Sequence, residues 1–161
     1  MNRLITTGYR EGISTAVSRM PENIWRRVRH AGLVCALDPV FLGLHVFAHT
    51  DDTAGMTAYR HHTTDGSTTI TLARLDVDAK WMAANLPRVV AHEYGHVLHE
   101  TLGWRFTATA VSDYAQTSPR EAFADGFATW LGFYRTNGTQ RFRRVDARTE
   151  ALFTRLSEAS A

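Results

Sequence analysis

The sequence predicts an α+β fold in which a small twisted β-sheet packs on an HExxH helix and a helical C-terminal half completes the core. Three observations predict it. Apolar residues recur at helical spacing toward both ends of the chain, and short β-branched and aromatic runs fill the region from Gly32 to Leu75. Between them and the C-terminal half lies Leu86–Leu102, LPRVVAHEYGHVLHETL, which holds His92-Glu93-Tyr94-Gly95-His96 inside a helical pattern. At 161 residues, 44% of them hydrophobic, the chain suits a single domain over residues 1–161 with its own core. No repeat, linker or low-complexity tract divides it.

Taken in order, residues from about Glu11 to His30 form a helical stretch broken before Pro21, which can occupy the first turn of PENIWRRVRH. Ile24, Trp25 and Val28 face the core in this reading, and Arg26, Arg27 and Arg29 form the solvated face. The runs LVCAL, LHVFAH, MTAYRHH and STTITLARL then read as strands, with Asp38-Pro39, Asp51-Asp52 and Asp65-Gly66-Ser67 as turns. The last of these turns joins two runs as a hairpin, and STTITLARL becomes an edge strand on which an extended peptide could add. His45, His49, His61 and His62 read as polar strand or turn residues, since none has partners at metal-binding spacing. DVDAKWMAAN reads as a turn that delivers the chain to the HEYGH helix, with Pro87 near that helix's start and Gly103 just past its end.

Beyond Gly103, WRFTATAVSDYAQT is irregular. Ser118 then caps a second strong helix, PREAFADGFATWLGFYR, with Pro119 at its first position and Glu121 at the third. Phe123, Phe127, Trp130 and Tyr134 share its buried side, and Asn137-Gly138 ends it. A last helix from Arg143 to Ala159 buries Val145, Leu152 and Leu156.

Composition removes several functional classes. The formal charge is +2, and the arginines fall in separate groups, so no nucleic-acid surface is indicated. Cys35 is the only cysteine, which excludes an internal disulfide and a zinc-finger framework; its apolar surroundings argue for a small core residue over a nucleophile. The N-terminus lacks the apolar core of a secretory signal and no run is long enough to span a membrane, so cytoplasmic synthesis is the default expectation. Signal-independent export or packaging into a particle would leave no mark in these residues.

The chemistry centres on HEYGH. At about 100° per residue, His92 and His96 lie one turn apart on one face and can share a tetrahedral zinc ion, while Glu93 points aside, where a general base for the ion's water belongs. A catalytic zinc needs a third ligand. Glu121 can supply a carboxylate from a separate helix, or act only in its cap; His99 lies on the same face as the histidine pair but further along the axis, which favours a structural role.

Together, HEYGHVLHETLG and YAQTSPREAFADGFA resemble the gluzincin metalloproteases of the anthrax lethal factor type, which include Pro-Pro endopeptidases. The match covers roughly residues 86 to 135. It implies a zincin-like fold with one zinc per chain on His92, His96 and Glu121, Glu93 as base, and Tyr114, seven residues before the third ligand, as a catalytic tyrosine. It also implies a supporting acid at Asp125. His99 departs from the aspartate usual at its position.

The function expected is therefore a zinc endopeptidase acting on a protein or peptide bound in extended form, with no nucleic-acid or membrane partner. Two alternatives remain at this stage. One is the zinc module of regulatory immunity and radiation-response metallopeptidase-like proteins, whose partner is a repressor; the lack of a helix-turn-helix and the Tyr114 spacing weigh against it. The other is a non-catalytic protein that clamps two helices with zinc, which would need a fourth ligand such as His99 or Asp125.

Overall fold

The computed structural model describes residues 7–35, 55–58, 67–72, 79–133 and 144–159. Over these residues the fold is α+β with helices dominating. Pro21 divides the first helical stretch into α1 (Thr7–Ser18) and α2 (Glu22–Val28), because its ring fixes φ at −56° just before α2 and cannot continue α1. Ile24 and Val28 are fully buried and Trp25 packs against the same core. Arg26 and Arg29 are exposed, with Arg26 bonded to Glu22 one turn earlier.

Strands β1 (Gly32–Cys35), β2 (Gly55–Ala58) and β3 (Thr69–Leu72) form a three-stranded sheet in the order β1-β3-β2. β1 runs parallel to β3, pairing Gly32 with Thr69, whereas β2 runs antiparallel to it, pairing Ala58 with Thr69. The antiparallel pair agrees with a hairpin between the MTAYRHH and STTITLARL runs. The edge assignment does not hold: β3 is hydrogen-bonded on both sides and offers no free backbone edge. Strand order is a long-range property, and alternation along STTITLARL carries no record of it. The LHVFAH run, His45, His49, His61, His62 and the Asp65-Gly66 turn lie outside the described residues, as does the side chain of Cys35.

Helix α3 (Ala79–Thr101) is longer than the sequence suggested. The segment expected as a turn is helical from Ala79, and Pro87 sits inside the helix instead of near its start. AKWMAAN is rich in good helix formers, and burial of the following turns outweighs the roughly 3 kcal/mol that an interior proline costs. Leu86, Val90, Val97 and Leu98 are at most 1% exposed and form its apolar side. The helix stops as predicted at Gly103 (φ +65°), whose N–H bonds the Glu100 carbonyl while Trp104 N–H bonds that of His99. Trp104 is also left-handed (φ 60°), and its ring makes a T-shaped contact with His99 at 4.8 Å and lies under the Arg120 guanidinium at 4.3 Å.

After an irregular segment and a 3₁₀ turn (Tyr114–Thr117), α4 (Pro119–Trp130) begins at the predicted cap, with Glu121 N–H donating to Ser118 Oγ. It ends earlier than expected. Gly132 takes φ +83°, and the Gly132 and Phe133 N–H groups bond the Thr129 and Ala128 carbonyls, a closure that a glycine with no Cβ permits. Tyr134 and Asn137-Gly138 lie outside the described residues. α5 (Ala147–Glu158) starts four residues after Arg143 because Asp146 takes the cap, accepting from Thr149 N–H at 2.7 Å. Val145 therefore precedes the helix, Leu152 is buried, Leu156 is partly so, and Phe153, not anticipated, is fully buried against Phe123, Phe127 and Trp130. Among the described residues no helix is long and apolar enough to cross a membrane.

α4 crosses α3 at close range. A Cβ on Gly95 would lie 2.8 Å from Ala124 Cα, inside a contact that backbone cannot yield, so this glycine of HEYGH sets how near α4 approaches the histidine face.

Candidate metal centre

At that crossing, α3 presents His92 and His96 and the first turn of α4 presents Glu121. The three could hold a metal ion. His92 Nε2 and His96 Nε2 are 3.1 Å apart, Glu121 Oε2 is 3.0 Å from His92 Nε2, and Glu121 Oε1 is 3.4 Å from His96 Nε2. Both histidines are buried. The Glu121 carboxylate faces the histidines, while its backbone N–H alone serves the Ser118 cap.

Asp125, one turn along α4 and fully buried, supports this group from behind. Its Oδ1 accepts from His92 Nδ1 at 2.8 Å and also from Arg88, one turn before His92 on α3; its Oδ2 accepts from Ser112 Oγ. With Nδ1–H committed to Asp125, the lone pair of a neutral His92 sits on Nε2, toward His96 and Glu121. Burial pushes the Glu121 and Asp125 carboxyl pKa values up, but the adjacent histidines, and for Asp125 also Arg88 and Ser112, outweigh it and hold both below the ordinary carboxylate range. Burial lowers the His92 pKa, and the bonds to Asp125 and Glu121 with the charge of Glu93 overcome this and raise it to about 9 in the absence of a metal ion.

Glu93 is buried on the flank of the histidine pair, and its negative charge is felt at both His92 and Tyr114. Tyr114 opens the 3₁₀ turn with its ring centroid 6.0 Å from that of His92, and its hydroxyl bonds the Glu121 carboxylate. Desolvation, followed by the charges of Glu121, Glu93 and Asp125, pushes its pKa up to about 12, so it remains a proton-bearing donor at neutral pH.

His99 stands apart from the trio. Its Nε2–H donates to the Phe106 carbonyl at 2.8 Å, and its ring stacks on Phe123 at 4.2 Å. Burial lowers its pKa to about 4, so it is a neutral packing residue at pH 7. All of the site residues expected from the sequence, His92, Glu93, His96, Tyr114 and Glu121, are brought together with Asp125 behind them. Arg88 and Ser112 were missed. Arg88 had one available signal, its position four residues before His92 on the same helix face; Ser112 had none in its local sequence.

No protein-family model, curated protein or solved structure matches this chain.

Proposed function

We propose that the chain is a zincin-like zinc endopeptidase of gluzincin type, with one zinc per chain held by His92, His96 and Glu121. The observation that carries this reading is the mutual spacing of the three donors, 3.0 to 3.4 Å. Zinc bonds of 2.0–2.1 Å in a tetrahedron require donors roughly 3.3–3.4 Å apart, so only small side-chain shifts are needed to seat the ion. The donor set of two imidazoles and a carboxylate also suits zinc and leaves the open position of a catalytic site.

When bound, zinc supplies the Lewis acidity that polarises a scissile carbonyl and makes water a nucleophile near neutral pH. Glu93 accepts the proton of that water and returns it to the leaving amine. Tyr114, kept protonated by its surroundings, donates to the carbonyl oxygen as negative charge grows there. Asp125 fixes the tautomer and ring orientation of His92. A protein or peptide substrate in extended form would add at β1 or β2, the outer strands among the described residues, since β3 is internal.

A closed, purely structural zinc site finds less support, because His99 is committed to Phe106 and Phe123, and Asp125 lies behind His92. The discriminating experiment compares the protein with Glu93→Gln on a peptide library at matched zinc content. Glu93→Gln is expected to keep zinc and fold yet lose hydrolysis by roughly a hundredfold or more, since the amide cannot accept a proton. Equal cleavage by the two would remove Glu93 from the reaction, and no zinc-dependent cleavage by the parent would remove the enzyme.

A further inference from the structure

We propose that Arg88 is a positioning residue for the metal-binding face of His92, acting through Asp125; this rests on the metal-site reading above. Asp125 is fully shielded from solvent, and His92 Nδ1 and Ser112 Oγ already give each of its oxygens one donor. Arg88 adds a further bond to Oδ1, the oxygen that receives His92. Arg88 and His92 are four residues apart on α3, so the carboxylate on α4 bridges two successive turns of one helix face.

A buried ion pair is a poor device for stability alone, because removing two charges from water offsets much of their attraction and apolar packing could fill the same space. Its distinctive contribution is directional. The guanidinium bond to Oδ1 fixes where that oxygen sits relative to Nδ1 of His92. The ring is thereby held with Nε2 toward His96 and Glu121, so the bond acts on ligand geometry at one remove.

The test is zinc affinity, read by competition with a chromophoric chelator, for the parent, Arg88→Met, Asp125→Asn and the double variant, with melting temperatures of the metal-free proteins measured alongside. Arg88→Met is expected to weaken zinc binding about tenfold, near the lower end for losing a group behind a ligand. The same change in Asp125→Asn should add little, because the route to His92 is already interrupted. Arg88→Lys, which retains the charge but not the guanidinium's reach and direction, should fall between parent and Arg88→Met, and it serves the same comparison if Arg88→Met does not fold. An equal loss from the Arg88 change in both backgrounds would assign Arg88 to general packing and overturn the proposal. Normal affinity in both Arg88 variants would do so as well. Failure of the parent itself to bind zinc would remove the metal site and this inference with it, an outcome distinct from the other two.

Discussion

Helix α3 carries two buried faces of opposite character. One presents Leu86, Val90, Tyr94, Val97 and Leu98 to the apolar core, each at most 2% exposed. The other presents Arg88, His92, His96 and His99, all below 9% exposed, in a stripe roughly 80° wide at 100° per residue. Both faces are buried but contribute differently. Each large side chain on the first adds about 1.5–3 kcal/mol by leaving water. Each polar group on the second must recover its lost hydration from a specific partner, such as Asp125, Phe106 or the neighbouring ligands. Burial on the second face is thus conditional on those partners, so the two faces should respond differently to substitution.

The largest effect is expected from the apolar face. Leu98→Ala should destabilise the protein by about 2–5 kcal/mol, because Leu98 is fully buried and a cavity would remain. Denaturant unfolding measures this, and the variant still folded at low temperature should retain its zinc. A zinc site lost in the folded variant, with little change in stability, would reverse the roles of the two faces.

On the polar side, Tyr114→Phe keeps the ring near His92 and removes only the hydroxyl that reaches Glu121. Zinc content and melting temperature should stay near the parent values while kcat falls roughly tenfold to a thousandfold, the range for losing one donor to a developing oxyanion. Unaltered kcat on a validated peptide would leave Tyr114 as packing alone.

These contrasts also show what was legible in the sequence. The HEYGH helix and the Ser118-Pro119-Glu121 start of α4 depend on local spacing and capping, and the structure has both. Pro87 misled because proline favours the first turn of a helix, yet here tertiary burial holds it well inside α3. Gly132 and Asn137-Gly138 can each end a helix, and the bonds formed at Gly132 decide for the former. The central position of β3, the close approach at Gly95, and the bonds from Arg88 and Ser112 to Asp125 join segments distant along the chain, which periodicity within one segment does not encode.

His99 lies within the polar stripe but is placed for packing. Its pKa is lowered from 6.5 to about 4, so between these values the unfolded chain binds a proton that the folded protein does not, and stability falls as pH drops through that window. At about 1.4 kcal/mol per pKa unit, the full shift corresponds to roughly 3 kcal/mol. His99→Gln should be less stable at pH 7 for want of stacking on Phe123, yet lose less stability between pH 6.5 and 4 than the parent. Parallel pH profiles for the two would mean that His99 accepts its proton while folded.

The central claim, that the polar face of α3 and the first turn of α4 together build a zinc site, is tested most directly by elemental analysis after equilibrium dialysis of the parent, Glu93→Gln and Glu121→Ala. One zinc per chain is expected in the parent and in Glu93→Gln, with a clear deficit in folded Glu121→Ala, which has lost one of three ligands. Full zinc occupancy in Glu121→Ala, or no zinc in the parent, would contradict the account.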